Sequence, residues 1–310
     1  MAQPRKTLLI ALGGNALVRK GQSGSIEEQF ENLRLPLAQA ARLAQRYRLL
    51  VTHGNGPQVG DLMLKQECCP EGMRLPLEIL VAQTQGQIGY MIESTLDSEL
   101  MQLGPEAQKP LVSLLSYVVV KADDPGFVEP TKPIGPVLSE DRARVAPYPV
   151  KLTAKGWRRV VASPQPVTVV ERREIRRLIG DGFIVICCGG GGIPVVREGR
   201  RFCGVDAVID KDLASARLAR EVGVDLFIIA TDVQGAFVDF GGPDQRLLTR
   251  LTADEAARLV REGAFPAGSM GPKVDACARF VQGGGSRAAI CALADIEAAV
   301  AREAGTQVVP

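Results

Sequence analysis

Residues 186–196 read ICCGGGGIPVV, so four consecutive glycines lie between two apolar runs. A glycine inside regular structure costs about 0.5–1 kcal/mol relative to alanine, and a run of four therefore needs a local reason. One possible reason is a tight turn after a strand. The other is a ligand that lies on the main chain, with backbone N–H groups pointing at negative charge.

Apolar runs like the one before these glycines recur along the chain and predict the fold class. They are nearly continuous rather than alternating, which is typical of buried parallel strands. The predicted strands are Thr7–Leu12, Arg48–Thr52, Leu111–Val120, Phe183–Cys188, Leu226–Thr231 and Arg287–Ala292. Between them lie helical patterns: capping-box spacing begins at Ser25 and Thr252, Gly56-Pro57 predicts a helix start, and Leu77–Leu103 has 3.6-residue spacing. The alternation predicts an α/β protein, a three-layer sandwich with helices on both faces of a mainly parallel central sheet.

Two stretches interrupt this pattern. Residues 121–168 contain eight prolines and few periodic runs, which predicts an inserted lobe or lid rather than another βαβ unit. Residues Ile193–Arg201 and Phe202–Ile209, with Gly199 near the turn, predict a hairpin before a helix that begins near Lys211.

Charge and composition exclude several classes of function. The 310 residues are 46 % apolar, and 37 Lys and Arg nearly balance 35 Asp and Glu without a block of five like charges. No nucleic-acid or membrane-surface partner is therefore expected. Only five apolar residues in succession, 8–12, stand near the N-terminus, too few for a signal peptide or membrane span, so we expect a cytoplasmic protein.

The seven cysteines include the adjacent pairs Cys68–Cys69 and Cys187–Cys188 but no C-x-x-C motif, which argues against zinc and a disulfide framework. His53 is the only histidine and lies in a glycine-rich loop, which argues against Ser-His-Asp and Cys-His hydrolases. The ring could form a wall of a binding site or cap the following helix, and both interpretations remain open.

Glycine-rich loops follow three of the predicted strands, where ligands bind in open α/β sheets. They are Gly13-Gly14-Asn15, His53-Gly54-Asn55-Gly56 and Gly189–Gly192, and Thr231-Asp232 follows a fourth strand. Each loop alone is equally compatible with a plain strand-to-helix turn, but three on one sheet predict a cradle for an anion. Neither the P-loop pattern nor G-x-G-x-x-G is present, which disfavours Walker ATPases and Rossmann dehydrogenases.

Three lysines are candidates for neutralising that anion. Lys132 lies between Pro130 and Pro133, Lys211 lies within Ile209-Asp-Lys-Asp212, and Lys273 follows Pro272 in the first turn of an apolar helix. Most lysines are solvated surface charges, but a fixed backbone at Lys132 and a helix start at Lys273 favour anion binding.

The chain resembles the carbamate kinases of the amino-acid kinase superfamily. The matching stretches run in order over nearly the full length: ALGGNAL (11–17), THGNGPQVG (52–60), PTKPIGPVL (130–138), GWRRVVASPQP (156–166), CCGGGGIPVV (187–196), GVDAVIDKDLAS (204–215), TDVQGA (231–236) and GSMGPKVDA (268–276). The resemblance implies one amino-acid kinase-like domain over 1–310 and a homodimer. It also implies an acceptor-binding part over about 1–205, in which the proline-rich stretch of about 121–168 forms a small protruding lobe, and a nucleotide-binding part over about 206–310.

The same resemblance implies roles for individual residues. Lys132, Lys211 and Lys273 would surround the transferring phosphoryl group, with Asp212 orienting them. The substrate-binding set would be Gly13, Gly14, Asn15, His53, Gly54, Asn55, Gly56, Gly190 and Gly191. The nucleotide-binding set would be Asp232, Phe237, Ser269, Met270 and Lys273. Gln234 and Phe237 depart from the Asp-Gly-Val-Tyr-like run expected there, which leaves the adenine contacts open.

The implied reaction is reversible phosphoryl transfer between ATP and carbamate, giving ADP and carbamoyl phosphate, often in the ATP-forming direction of arginine catabolism. Mg²⁺ would be held mainly by phosphates, with no protein ligand. Carbamate is already an anion and needs no base, so a scarcity of histidine is no handicap. On this hypothesis Gly189–Gly192 lack side chains because acceptor and phosphoryl oxygens lie on their main chain.

Two alternatives remain. One is another kinase of the superfamily, such as an acetylglutamate or nucleoside-monophosphate kinase. A larger carboxylate acceptor needs a second basic clamp, and the Asn15 and His53 loops carry no arginine. The other is a nucleotide-sensing module without turnover, which should lack one of the three lysines.

Overall fold

A computed structural model describes residues 5–153, 156–266 and 268–310. The predicted α/β sandwich is confirmed: the central sheet has eight strands, and neighbouring strands from β16 to β3 are parallel, whereas β17 is antiparallel to β16. In spatial order the strands are β15 (Arg250–Thr252), β17 (Thr306–Val309), β16 (Arg287–Ala292), β12 (Leu226–Thr231), β1 (Thr7–Leu12), β2 (Arg48–His53), β9 (Ile184–Ile186) and β3 (Leu111–Ser113).

Helices cover both faces of this sheet because its strands are apolar on both sides. Along β1, Leu8, Ile10 and Leu12 pack into one core, and Leu9 and Ala11 pack into the other. The first core is closed by α1 (Ile26–Ala44), α3 (Leu77–Gln102) and α9 (Ile296–Ala301), and the second by α5 (Arg172–Gly180), α6 (Lys211–Val222), α7 (Ala253–Arg261) and α8 (Met270–Gln282). The capping boxes predicted at Ser25 and Thr252 are both formed.

Smaller sheets lie beside the central one. A four-stranded sheet has the order β11 (Arg201–Gly204), β10 (Ile193–Glu198), β4 (Tyr117–Val119) and β8 (Thr168–Val169), and β13 (Phe237–Val238) pairs with β14 (Arg246–Leu247). The proline-rich stretch forms a separate antiparallel sheet in the order β5 (Lys132–Leu138), β7 (Gly156–Val161) and β6 (Val150–Thr153), with α4 (Glu140–Arg144) between β5 and β6. Residues 154 and 155 of the predicted lobe lie outside the described residues.

The prediction of one strand over Leu111–Val120 is wrong. The segment divides into β3 and β4, which belong to different sheets. At the corner between them, the buried side chain of Gln85 from α3 accepts a hydrogen bond from Ser116 N at 2.9 Å and donates one to Ser116 O at 3.2 Å. A side chain distant in sequence therefore binds the Ser116 N–H, while Ser116 O also accepts a hydrogen bond from Ile193 N of β10 at 2.8 Å. The predicted hairpin is confirmed, although its second arm ends at Gly204 rather than Ile209.

Helix α2 (Gly56–Lys65) joins the three-stranded sheet to the rest of the molecule, and glycine allows the close approach. A Cβ added to Gly60 would lie 2.0 Å from both Cα and N of Gly135 in β5. Because the obstructing atoms are backbone, no side-chain rotation can relieve that contact. Over the described residues, no helix combines the length and the apolar character that crossing a membrane requires.

We predict that Gly60→Ala destabilises the protein by about 1–3 kcal/mol, the usual cost of forcing an extra group into a packed interface. Gly86→Ala is the matched control, because Gly86 lies exposed in α3 with no atom within 4 Å of its added Cβ. The control should gain about 0.5–1 kcal/mol from helix propensity. Urea unfolding of both variants measures the difference, and equal effects would show that the α2–β5 contact does not constrain the fold.

Candidate active site

Three loops meet at the carboxyl edge of β12, β1 and β2. Gly13 N donates to Ala230 O at 3.0 Å, and Gly54 N donates to Leu12 O at 3.0 Å. A Cβ on Gly54 would lie 3.3 Å from Gly14 N, so the second loop rests on the first. The structure thereby brings together glycine-rich loops from separate parts of the sequence.

The turn Gly189–Gly192 completes the same edge, and packing within the protein is by itself a reason for its glycines. Gly190, Gly191 and Gly192 have φ of +64°, +88° and +90°, which side chains rarely adopt. An added Cβ on Gly189 would lie 2.5 Å from the His53 ring, and one on Gly190 would lie 2.2 Å from the Asn55 amide. The protein's own packing therefore excludes side chains here, whether or not ligand oxygens lie on this main chain.

Several backbone amides at this edge remain available. Within the ranges that the structure describes, the N–H groups of Gly14, Asn15 and Gly190 donate to no protein acceptor. Amides of this kind at the start of helical turns bind anions. The amide of Gly190 is on the turn that packs against Asn55, whose side chain donates to Thr84 Oγ1 at 2.9 Å.

The three predicted lysines converge at the N-terminus of α6. Lys211 Nζ lies 2.6 Å from Asp212 Oδ1, and Lys273 Nζ lies 2.8 Å from Asp212 Oδ2. Lys132 reaches from β5 and lies 2.5 Å from a second carboxylate, Asp210 Oδ2. Asp212 is thus positioned to orient Lys211 and Lys273, as predicted, but Lys132 pairs with Asp210 instead.

Sequence reasoning missed Asp210. Its Oδ1 accepts hydrogen bonds from Asp212 N at 2.9 Å and Leu213 N at 3.2 Å, so it is the N-cap of α6. Its other oxygen holds Lys132. The signal was available, since an aspartate directly before a predicted helix start is a preferred N-cap.

Both the side-chain ammonium and the backbone carbonyl of Lys211 have buried polar partners. Its ammonium lies 3.5 Å from Ala11 O at the end of β1. Its carbonyl accepts a hydrogen bond from Ser215 Oγ at 2.7 Å, and that hydroxyl lies 2.7 Å from Thr52 Oγ1 of β2. These buried contacts tie the start of α6 to both neighbouring strands.

Electrostatic pairing keeps the carboxylates ionised. Burial alone would raise the pKa of Asp212, but Lys211 and Lys273 outweigh it and hold the pKa well below its ordinary value. The same competition, with Lys132 as the main cation, lowers the pKa of Asp210. Burial lowers the pKa of Lys211 despite Asp212, whereas Asp212 outweighs burial and raises the pKa of Lys273. Three ammonium groups facing two carboxylates leave a positive site suited to an anion.

His53 is a wall of this edge and does not cap the following helix. The N-cap of α2 is Asn55, which makes no side-chain capping bond, and His53 Nδ1 lies 3.1 Å from Gly54 O. Burial, with a smaller contribution from the charge of Lys211, lowers the pKa of His53 to about 4. The imidazole is therefore neutral at pH 7.

Of the predicted nucleotide-binding residues, only Lys273 belongs to the lysine–aspartate cluster, which comprises Lys132, Asp210, Lys211, Asp212 and Lys273. Asp232 is exposed and accepts from Thr231 Oγ1 at 3.2 Å, and its charge helps to raise the pKa of Lys273. The ring of Phe237 is half-buried, with its centroid 5.7 Å from that of Phe240. Ser269 precedes α8 and Met270 begins it. Among the residues described, Phe237, Ser269 and Met270 make no hydrogen bond or ion pair with the lysine–aspartate cluster.

We also searched the described residues for side chains that could coordinate a metal ion. No set of three or more His, Cys, Asp or Glu in the described ranges is placed to hold a cation. Both carboxylates of the cluster are instead engaged by lysines.

Comparison with known proteins places this architecture in context. The sequence matches the Amino acid kinase family over residues 6–292. It is 45 % identical to the carbamate kinase of Thermococcus kodakarensis, covering 98 % of this chain and 99 % of that protein. It is 43 % identical to the carbamate kinase of Escherichia coli K12, covering 97 % and 98 %. A structure of carbamate kinase from Giardia lamblia bound to AMP-PNP superimposes with a TM-score of 0.88 at 35 % identity, covering 98 % of both chains.

We predict an acid-dependent loss of stability that comes from His53. The folded pKa of about 4 lies below the ordinary 6.5, so the unfolded chain binds the proton first as the pH falls. Stability is complete above pH 6.5 and decreases towards pH 4, by about 2 kcal/mol between pH 7 and pH 5.

Because His53 is the only histidine, urea unfolding of wild type and His53→Gln at both pH values isolates this contribution. The free energy of unfolding of the variant should change little over that interval. An equal decrease in both proteins would contradict the assignment.

Proposed function

This chain belongs to the amino acid kinase family, and we propose that its lysine–aspartate cluster performs the phosphoryl transfer of a carbamate kinase. The protein is a kinase, and full-length relatives at 43–45 % identity assign the transfer between ATP and carbamate. An oxygen of carbamate attacks the γ-phosphorus, the bond to the β–γ bridging oxygen breaks, and ADP leaves as carbamoyl phosphate forms. The observation that carries the proposal is the convergence of three ammonium groups on one edge of the sheet.

Charge neutralisation is the main task of this site. Two anionic oxygens about 4 Å apart repel by about 4 kcal/mol at an effective dielectric of 20. Ammonium groups already fixed by Asp210 and Asp212 oppose that repulsion without having to reorganise during the reaction. Since carbamate is ionised before it binds, the neutral His53 is consistent with a reaction that needs no general base.

The three lysines come from different parts of the fold and so approach the phosphoryl group from different sides. Lys211 is on α6, Lys273 is on α8, and Lys132 is on the separate three-stranded sheet. We assign the acceptor side to the unpaired amides of the Gly13–Asn15 loop and the Gly189–Gly192 turn, together with Gly54–Gly56. The nucleotide side is assigned to Asp232, Phe237, Ser269 and Met270. We accordingly propose that about 1–205 and about 206–310 are the acceptor-binding and nucleotide-binding parts of one domain.

Mg²⁺ fits this site as an ion that binds together with the nucleotide, not as an ion held by protein ligands alone. The two nearby carboxylates are occupied by lysines, which leaves phosphate oxygens as the hard ligands that Mg²⁺ prefers. When bound, the ion supplies further charge neutralisation on the transferred phosphate. A homodimer and a cytoplasmic location remain predictions from the family resemblance and the sequence.

We predict that Lys211→Gln lowers kcat by about 10²-fold or more, because a fixed charge at the transition state is lost. The assay is ATP formation from ADP and carbamoyl phosphate with Mg²⁺. Lys151→Gln is the control, since Lys151 is an exposed lysine of β6 whose only ion pair among the described residues, with Glu129, is 3.5 Å long. Its turnover should equal that of wild type. A Lys211→Gln protein that loses activity only in proportion to folded protein would mean that Lys211 is structural.

A double-mutant cycle tests whether Asp210 acts through Lys132. Asp210→Asn keeps a side-chain oxygen for the N-cap of α6 but removes the negative charge that holds the ammonium. We expect Lys132→Ala and Asp210→Asn each to reduce kcat at least tenfold, the loss of about 1.4 kcal/mol. Asp210→Asn should have little further effect in the Lys132→Ala background. Fully additive losses would show that the carboxylate of Asp210 has a separate function.

A further inference from the structure

A cavity of about 200 Å³ lies at the amino edge of the central sheet, opposite the candidate active site. Arg5 precedes β1, Arg48 begins β2, and Lys109 precedes β3, and all three line the cavity. Tyr47 and Phe183 contribute aromatic walls. Since β1 has six residues at about 3.3 Å each, this cavity is about 20 Å from the opposite edge.

The cations of the cavity are not neutralised by the protein. Over residues 5–153, 156–266 and 268–310, the side chains of Arg5, Arg48 and Lys109 form no hydrogen bond or ion pair. The one acidic lining residue, Asp181, is paired with Arg177 at 2.9 Å. Burial, together with the charge of Arg5, lowers the pKa of Lys109, as expected where like charges share a partly enclosed space.

A structural role as helix caps does not account for these cations. Near the end of α5, the carbonyls of Arg177, Leu178 and Ile179 already accept hydrogen bonds from the backbone N–H groups of residues 181–183. At the end of α1, Arg42 O and Leu43 O already accept from Gln45 N, Arg46 N and Tyr47 N. Basic side chains near a helix C-terminus often serve those carbonyls, and here the chain's own amides do so.

We propose that this cavity is a binding site for a compact phosphate-class oxyanion, held by Arg5, Arg48 and Lys109. Its volume exceeds the roughly 30 Å³ of a water molecule several-fold but is below the roughly 300–1,000 Å³ of sites for drug-sized ligands. Arginine and lysine bind phosphate oxygens through charge-assisted hydrogen bonds, and a multivalent anion would also remove the mutual repulsion of the three cations.

The test uses the full chain and pyrophosphate as the probe, measured by isothermal titration calorimetry. We compare wild type with the double variant Arg48→Gln/Lys109→Gln and with Arg46→Gln, an exposed neighbour outside the cavity. Wild type and Arg46→Gln should bind one pyrophosphate more per chain than the double variant, or bind it at least tenfold more tightly, as expected for lost hydrogen bonds to a charged group. Inorganic phosphate and AMP in parallel distinguish a free anion from the phosphate of a nucleotide.

Two further readouts separate this site from the active site and from misfolding. The double variant should keep wild-type turnover, because neither residue belongs to the lysine–aspartate cluster. Its thermal midpoint without ligand should be equal or higher, since unpaired like charges have been removed. Unchanged pyrophosphate binding in the double variant would overturn the proposal. A large drop in its thermal midpoint would also overturn it, because the cations would then be structural.

Discussion

The pairing of Asp212 with two lysine ammonium groups is the interaction on which the candidate site depends. Taking one lysine out of water costs several kcal/mol, and Lys211 is buried with Asp212 as its charged partner. Without that carboxylate, Lys211 and Lys273 would repel each other across a site of low dielectric. The Asp212 carboxylate therefore allows the ammonium groups of Lys211 and Lys273 to lie close together. A phosphate carries more negative charge than one carboxylate and can then bind to both.

The position of Lys211 at the N-terminus of α6 adds a second unfavourable electrostatic interaction. The N-terminus of a helix carries a partial positive charge, so a lysine as its first residue is unfavourable there. Asp210 as the N-cap and Asp212 in the first turn compensate for both the helix and the lysine. Asp210 thus binds both the backbone and Lys132, and Asp212 pairs with Lys211 and Lys273, so the local sequence Asp-Lys-Asp acts as an electrostatic unit.

The sequence predicts well those elements whose formation depends on residues that are close together in the chain. The strands β1, β12 and β16 were predicted residue for residue, because continuous apolar runs flanked by glycine or polar residues identify buried parallel strands. The division of 111–120 was not predictable in this way, since it depends on Gln85 reaching Ser116 from α3.

The packing reason for the four glycines Gly189–Gly192 could not be predicted from the sequence either. It lies in contacts with His53, Asn55, Ile209 and Val118, which are far away in sequence. The lysines were found because each stands beside proline or a helix start, whereas the second function of Asp210 requires knowing that β5 passes close to α6.

The protonation states of the cluster indicate why such chemistry can proceed without a histidine. Depressed pKa values keep Asp210 and Asp212 ionised in neutral solution, and the raised pKa of Lys273 keeps its ammonium charged. Lys211 differs, because burial lowers its pKa, and the charge of Asp212 opposes that effect. An incoming phosphoryl group would stabilise the protonated form of Lys211 in the same way as Asp212 does. A bound anion would therefore offset part of the burial that lowers the pKa of Lys211.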